Sequence, residues 1–395
     1  MANFDLATLR RVWLNIHLWI GVGLALLLIP ISISGGLLVW HDEIDTFINP
    51  HRYAVSGPQI AQSPTFYVAR ATEAVASDPS DLRPTSVRLS DSGWPIRVTA
   101  RAHNVEPGAR PRIVTVFLDP PTGKILDVLE FRSSLFGFLH VFHENLTIPE
   151  YSGRQIVGWA GVGMLILSLS GIYLWWPRNS GFFGGFRRGL RWSRSTRLTF
   201  NLHHLIGLWI SIPLAVVSAT GIYLSFPQTA RSFMTSVSTM NPQGPRGFGG
   251  QVSKQNGLSI DRVAEIAASQ QPDAKVATIF LPVSQRGEAG GRGGANWRVQ
   301  MQRGDNENAL TVLIDDRTGV AATAPAPASG DRAASWIRWI HEGSHSGIIW
   351  QILVFLTGVA PTIFAVTGVM MWLRRRAARK SSKRGSRTTI LHPAE

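Results

Sequence analysis

The chain has 395 residues and no cysteine. This absence excludes disulfide bonds, thiolate metal sites and the C-x-x-C-H motif that attaches haem covalently. Any haem bound here must therefore be of the non-covalent b kind. The sequence also has no Gly-x-Gly-x-x-Gly motif and no phosphate loop, so it shows no nicotinamide or flavin site.

Charged residues are absent from four long apolar segments: residues 13–40, 155–176, 199–226 and 347–373. Each is long enough to cross a bilayer, which takes about 20 residues. Ionisable groups inside a membrane mark ion or proton pathways, so their absence argues against a proton-coupled transporter. The first segment follows Arg10 and Arg11 and lacks a small-residue cleavage site, which predicts an uncleaved anchor.

The formal net charge of +14 is unevenly distributed. Basic residues are concentrated in a loop, residues 177–198, and in the tail, residues 374–395. The positive-inside rule places both in the cytoplasm together with both termini, and it places residues 41–150 and 227–346 in the periplasm. We therefore expect a multi-pass protein of a bacterial inner membrane, in contact with lipid and not with nucleic acid.

The two predicted outer segments follow the same plan, a helix followed by short strands. Their clearest match is Leu118-Asp119-x-x-Thr122-Gly123 with Ile314-Asp315-x-x-Thr318-Gly319. Turn residues between alternating apolar runs predict antiparallel strands here. The predicted fold is thus an α-helical membrane protein with four transmembrane helices from an internal duplication and two small α+β periplasmic modules.

A repeated histidine opens the first and third spans. Asn15, His17 and Gly21 recur at one fixed interval as Asn201, His203 and Gly207, and the same interval relates Gly35 to Gly221. Equivalent imidazoles from neighbouring helices can ligate iron from both faces of a porphyrin, so we predict that His17 and His203 are axial haem ligands. His204 would point about 100° away from His203 and is interpreted as a neighbour.

A second pair of histidines precedes the second and fourth spans. His143-Glu144 corresponds to His341-Glu342, which predicts a second haem b held by His143 and His341. His140 or His345 could substitute, and a metal site or a surface histidine patch is the alternative. The candidates for neutralising haem propionates are Arg132 and Arg154 on the outer side and Arg10, Arg11 and Arg197 on the inner side.

Several motifs together carry a resemblance to a known family. They are His17-Leu18-Trp19-Ile20-Gly21, Ser34-Gly35-Gly36, Glu43-Ile44-Asp45, Leu118 to Gly123, His143-Glu144-Asn145-Leu146, Gly153 to Gly158, Ser170 to Trp176, and Thr367 to Trp372. On these residues the chain resembles the PepSY-associated transmembrane helix family over nearly its whole length. His345 departs from the pattern, because it stands in a stretch that is usually small and apolar.

The family includes bacterial inner-membrane reductases of ferric siderophores, which carry two b haems on four helices and PepSY modules in the periplasm. The resemblance implies that the chain reduces Fe³⁺ of a siderophore to Fe²⁺, with ligands at His17, His143, His203 and His341. The electron donor would be a quinol or a cytoplasmic reductase. The alternatives are a non-redox, membrane-anchored PepSY sensor or protease inhibitor, and a haem reductase of another periplasmic acceptor.

Overall fold

The computed structural model describes residues 6–89, 93–103, 105, 111–148, 150–176, 198–241, 251–252, 257–284, 296–304, 306–345 and 347–389. The predicted basic loop lies outside these residues except for Leu198. The chain divides into two compact units. The helical unit comprises Met1–His41, Leu139–Met240 and Ala328–Glu395, and the sheet unit comprises Asp42–Phe138 and Asn241–Pro327.

The helices are labelled in chain order. They are α1 Leu6–Val39, α2 His41–Ile48, α3 Pro64–Val75, α4 Leu135–Asn145, α5 Glu150–Trp175, α6 Leu198–Ser225, α7 Pro227–Val237, α8 Ile260–Gln270, α9 Ser329–Glu342 and α10 Gly347–Thr389. Within the described residues, four of them are long and apolar enough to cross a membrane: α1, α5, α6 and the first part of α10. These are the four segments that the sequence predicts as spans.

Close backbone contacts hold the helical unit together. Helix α1 packs along α10, and α5 packs along α6. A Cβ atom added to Gly358 of α10 would lie 2.6 Å from the Cα atom of Gly36 in α1, so no side chain fits at this crossing. Small residues allow such close approach where helices pack by van der Waals contact. The glycines of the spans therefore bring the histidine-bearing helices near one another.

Most strands of the sheet unit belong to one antiparallel sheet. They are β1 Leu82–Arg88, β2 Ile96–Ala102, β3 Ile113–Leu118, β4 Ile125–Glu130, β6 Lys275–Phe280, β8 Asn296–Arg303, β9 Asn306–Asp315 and β10 Ala321–Thr323. Their order is β10-β9-β8-β6-β1-β2-β3-β4. The short strands β5 Gln251–Val252 and β7 Val283–Ser284 pair separately.

The strands of the two predicted modules are thus joined in a single sheet. Strand β1 of the first segment pairs with β6 of the second, with Val87 opposite Ile279. Both side chains are fully buried and share one apolar core with helices α3 and α8. Pairing these two strands removes the exposed edge that each would otherwise present to solvent. Sequence patterning gives the strands of each segment but not this pairing between them.

Equivalent caps and turns position the two halves of the sheet unit. The Ser63 side chain accepts a hydrogen bond from the backbone of α3, and Ser259 does the same for α8. Serine caps of this kind satisfy the free amides of a helix start. The turn at Asp119 and the turn at Asp315 each close with a hydrogen bond from the glycine four residues later, Gly123 and Gly319. The matched turn motifs of the sequence therefore fold alike.

One ion cluster ties the chain after α2 to the sheet. The buried Arg52 guanidinium lies 2.5 Å from Asp45 and 2.8 Å from Asp127. Burial raises the pKa of Asp45, but hydrogen bonds from Tyr53 and Arg52 outweigh burial and hold that pKa below its usual value. Burial and the Asp45 contact together raise the pKa of Tyr53. The cluster thus keeps Asp45 charged and Tyr53 protonated.

Candidate functional site

His17 of α1 and His203 of α6, here called the first pair, face each other in the helical unit. Their ring centres are 6.3 Å apart and their ring planes are inclined by 78°. A metal ion held between two imidazoles needs bonds of about 2.0 Å, and each nitrogen lies about 1.2 Å from its ring centre, which gives a separation of about 6.4 Å. The first pair therefore has the spacing of two axial ligands of one metal.

Hydrogen bonding fixes the tautomer of His17. Its Nδ1 atom lies 2.8 Å from the Ser170 hydroxyl oxygen. That hydroxyl donates its proton to the Ile166 carbonyl at 2.6 Å, so toward His17 it can only accept. Nδ1 must then carry the ring proton, and Nε2 keeps the lone pair that binds a metal. Such second contacts set the tautomer of metal-binding histidines.

His203 has the same arrangement on the opposite side. Its Nδ1 atom lies 2.9 Å from the Thr367 hydroxyl, which donates to the Ile363 carbonyl at 2.6 Å. A glycine follows each hydroxyl residue. A Cβ atom added to Gly171 would lie 3.6 Å from Cε1 of His17, and one added to Gly368 would lie 3.6 Å from Cε1 of His203. Both imidazoles of the first pair thus offer Nε2 as an unprotonated ligand.

His143 of α4 and His341 of α9 form the second pair. Their ring centres are 6.2 Å apart, with ring planes inclined by 37°. His143 Nδ1 lies 2.8 Å from the Ile31 carbonyl, and His341 Nδ1 lies 3.0 Å from the Val217 carbonyl. A carbonyl oxygen only accepts, so both Nδ1 atoms carry the proton and both Nε2 atoms keep their lone pairs. Spacing and tautomer match those of the first pair.

Two glycines make room for the second pair. A Cβ atom on Gly35 would lie 2.6 Å from Cε1 of His143, and one on Gly221 would lie 2.9 Å from Cε1 of His341. Real Cβ contacts are almost never shorter than 3.0 Å. Gly35 and Gly221 are also the glycines related by the interval between His17 and His203. The two glycines of the sequence repeat therefore each contact one histidine of the second pair.

The two pairs lie at different levels of the bundle. Along α1, the contact of His143 with Ile31 is 14 residues beyond His17. At about 1.5 Å per residue this is a rise of about 21 Å. The second pair thus lies beside α1 at the level of Ile31, before the helix ends at Val39. Metal centres at the two pairs would be stacked along the bundle.

A cavity of about 640 Å³ surrounds the first pair. This volume is within the range of about 300–1,000 Å³ that ligand pockets occupy. Its lining is mainly apolar, with Gly21 and Gly207 beside the histidines, and its basic residues are Arg10, Arg11 and Arg375. A flat apolar macrocycle with two carboxylates suits this combination. The residues of the first pair therefore fit a haem b in space, in ligands and in charge.

Sequence reasoning missed two of the residues around this cavity. Arg375 was predicted only as part of the basic tail, yet it lines the cavity with Arg10 and Arg11. The Trp175 indole also lines it, and within the described residues its buried Nε1 atom has no hydrogen-bond partner. The matched runs Ser170-Gly171 to Trp175 and Thr367-Gly368 to Trp372 were the available signal.

The alternative histidines face other side chains. The His204 ring stacks on Phe200 at 5.5 Å, although it also lines the cavity. His140 Nε2 lies 3.9 Å from the Glu144 carboxylate, and its side chain is largely exposed. The His345 ring lies 4.8 Å from Trp339. Across the described part of the chain, no group of three or more His, Asp or Glu side chains forms a metal site.

The predicted propionate partners are placed as follows. Arg154 lies 2.7 Å from Glu144, the residue after His143, and its buried Nε atom has no partner within the described residues. This orphaned donor is available to a carboxylate at the second pair. Arg132 is exposed on a short 3-10 helix of the sheet unit, Phe131–Ser133. Arg197 lies outside the described residues.

Comparison with known proteins identifies one family. No curated protein matches the chain. The family described as PepSY-associated TM region matches residues 14–375, which include both histidine pairs and the strands of the sheet unit. The match covers far more than half of the sequence. The chain therefore belongs to the PepSY-associated transmembrane family.

Proposed function

We propose that this chain is a di-haem b electron conduit of a bacterial inner membrane that reduces ferric siderophore in the periplasm. One observation carries the proposal: four imidazoles meet in two pairs, at 6.3 and 6.2 Å, and each has its Nδ1 proton committed to a hydroxyl or a carbonyl. A helix bundle that served only as a membrane anchor would not need paired imidazoles whose Nε2 atoms are left unprotonated. Each pair would hold one haem.

The chain's own residues decide what such a centre does. Held by the two imidazoles of a pair, a haem would supply single-electron chemistry. Ser170 and Thr367 keep the first pair in the ligating tautomer, and the Ile31 and Val217 carbonyls do so for the second. Arg10, Arg11 and Arg375 would hold the propionates at the first pair. The mainly apolar lining of the cavity would limit the access of water to a haem held there.

Internal duplication accounts for the corresponding contacts of the two halves. The carbonyls that fix the second pair, Ile31 and Val217, are separated by the same interval as His17 and His203. The glycines Gly35 and Gly221 share this interval too. The first-pair histidines, the two carbonyl acceptors and the two glycines thus repeat at one interval. This shared interval supports a gene duplication, after which each proposed haem would take one ligand from each half.

The proposed orientation follows from charge. Arg10 and Arg11 lie near the start of α1, before its apolar part, and basic residues follow the apolar part of α10, so both ends are assigned to the cytoplasm. The sheet unit would then face the periplasm, and it would correspond to the PepSY modules of the proposed function. Electrons would enter at the first pair from a quinol or a cytoplasmic reductase and leave at the second pair. Each electron converts one chelated Fe³⁺ to Fe²⁺.

Transfer across a bilayer tests this function directly. The full chain is reconstituted into liposomes that contain ferric–EDTA and an Fe²⁺-binding dye, and dithionite is added outside. We expect dye colour to develop only with protein, because neither reductant nor chelate crosses the membrane. Protein liposomes that stay as pale as protein-free ones would contradict the conduit and favour an anchored sensor or inhibitor.

Substitution of one glycine tests the geometry of the second pair. Gly35→Ala places a methyl group 2.6 Å from Cε1 of His143, so the ring must shift from its position 6.2 Å from the His341 ring. We expect the haem content to fall toward one per chain, with the remaining haem spectrally intact. Gly23→Ala is the matched control, since no atom lies within 4 Å of its Cβ position. Equal haem contents in the two variants would contradict the assignment of the second pair.

A further inference from the structure

The face of the sheet that points away from its core carries several arginines, including three on nearby strands: Arg88 of β1, Arg97 of β2 and Arg298 of β8. Each has a fully buried neighbour on the core face, namely Val87, Val98 and Val299. Side chains alternate between the two faces of a strand, so the arginines project from the opposite face. Arg88 and Arg298 are exposed, and Arg97 is half-buried.

The strand register brings these arginines together. Arg88 lies directly opposite Arg97 in the β1–β2 pair. Arg298 lies opposite Phe280, whose other neighbour is Ser86. With strands about 4.8 Å apart and about 3.4 Å per residue, the three Cα atoms are within about 16 Å of one another. Cross-strand like charges destabilise a sheet, so this arrangement has a cost in the folded state.

These guanidinium groups have no carboxylate partner among the described residues. Five other arginines of the sheet unit have one at 2.5–2.9 Å: Arg52, Arg70, Arg83, Arg112 and Arg262. Neither a side-chain hydrogen bond nor an ion pair joins the guanidinium group of Arg88, Arg97 or Arg298 to a described residue. Their N–H donors are therefore available to a ligand.

Aromatic rings hold two of the three arginines in place. The Arg298 guanidinium lies 4.1 Å from the Phe280 ring centre, and the Arg97 guanidinium lies 5.5 Å from that of Trp94. Such cation–π contacts orient the group without using its N–H donors. Surrounding protein atoms lower the pKa of Arg88, the Arg97 charge lowers it further, and Asp42 raises it. An added anion would relieve this repulsion.

We propose that Arg88, Arg97 and Arg298 bind a small anionic ferric chelate, one that presents carboxylate or catecholate oxygens. Planar guanidinium groups pair with such oxygens by two hydrogen bonds at once. The cluster carries more positive charge than Asp42, the carboxylate whose charge acts on Arg88, can balance. The proposal rests on the proposed function, because it names the class of substrate that the reductase would receive.

Equilibrium dialysis of ferric–EDTA against the purified full chain in detergent tests this site. We expect binding that weakens as salt is added. The Arg88→Gln/Arg97→Gln variant should bind about tenfold more weakly or worse, as follows from the loss of charge-assisted hydrogen bonds. Arg298→Gln alone should weaken binding too. A cationic trihydroxamate iron chelate should bind no better to the wild type than to the variants.

Arg70→Gln/Arg262→Gln is the matched control, since it removes the same charge from helices on the other face of the sheet. Binding by the Arg88→Gln/Arg97→Gln variant as tight as by the wild type would overturn the proposal. So would cluster-dependent binding of polyglutamate or anionic vesicles in place of ferric–EDTA. Haem spectra separate the two ideas: normal haem without chelate binding refutes only this site, whereas chelate binding without haem refutes only the electron conduit.

Discussion

Replacing His203 with alanine is expected to remove one of the two haems from the purified chain. The reason is that His17 would lose the imidazole 6.3 Å away that completes its axial set. The second pair, about 21 Å further along α1, should keep its haem because its contacts are untouched. Haem per chain, measured by the pyridine haemochrome method, should therefore fall from two to one. Free imidazole added to the variant should restore part of the loss.

His204→Ala provides the matched control for this experiment. The two histidines are adjacent in sequence and both line the cavity, but the His204 ring stacks on Phe200. We expect His204→Ala to retain two haems with only a small spectral change. The assignment of the first pair would be contradicted if His204→Ala lost a haem while His203→Ala kept both.

Replacing His341 with alanine is expected to stop electron transfer across the bilayer while leaving the first haem reducible. In the liposome assay, dye formation should fall to the level of protein-free liposomes. Dithionite should still reduce the remaining haem when the variant is in detergent. This separation follows because His341 serves the second pair alone, on the far side of the conduit from the proposed donor.

His345→Ala is the corresponding control, since the His345 ring lies 4.8 Å from the Trp339 ring and His345 belongs to neither pair. It should support dye formation at nearly the wild-type rate. A His341→Ala protein that still delivers electrons to the trapped chelate would remove the second pair from the pathway. In that case a single haem would have to serve both sides of the membrane.

Much of the helical unit follows from the sequence. Four uncharged apolar runs predict the spanning helices, and the repeated Asn-x-His-x-x-x-Gly frame predicts that His17 and His203 are equivalent. The structure brings together both predicted histidine pairs. Their tautomers could not be predicted, because they depend on Ser170, Thr367 and two backbone carbonyls that only packing brings near. Periodicity places a residue on a helix face, but it does not pair that face with a given neighbour.

The sheet unit shows where prediction from sequence ends. Turn motifs at Asp119 and Asp315 locate matched strands in both segments, and these strands form. The pairing of β1 with β6 joins strands nearly 190 residues apart in the chain, and no local pattern encodes such a partner. Two separate modules were therefore expected where one sheet exists. The arginine face also became evident only when the strand register was known.

Family membership and function rest on different observations. The match to the PepSY-associated TM region covers residues 14–375 and establishes the family. It does not by itself distinguish a reductase from an anchored PepSY sensor or protease inhibitor. That distinction depends on the two imidazole pairs, on the tautomers that leave Nε2 free and on the cavity with three arginines.

The absorption spectrum and haem content of the purified wild-type chain test this central claim most directly. The protein should be expressed with ample haem supply and measured before and after dithionite. We predict two b haems per chain, a Soret band that shifts on reduction, and a spectrum without the signature of an open iron position. A colourless protein, or one with haem that survives loss of all four paired histidines, would contradict the account.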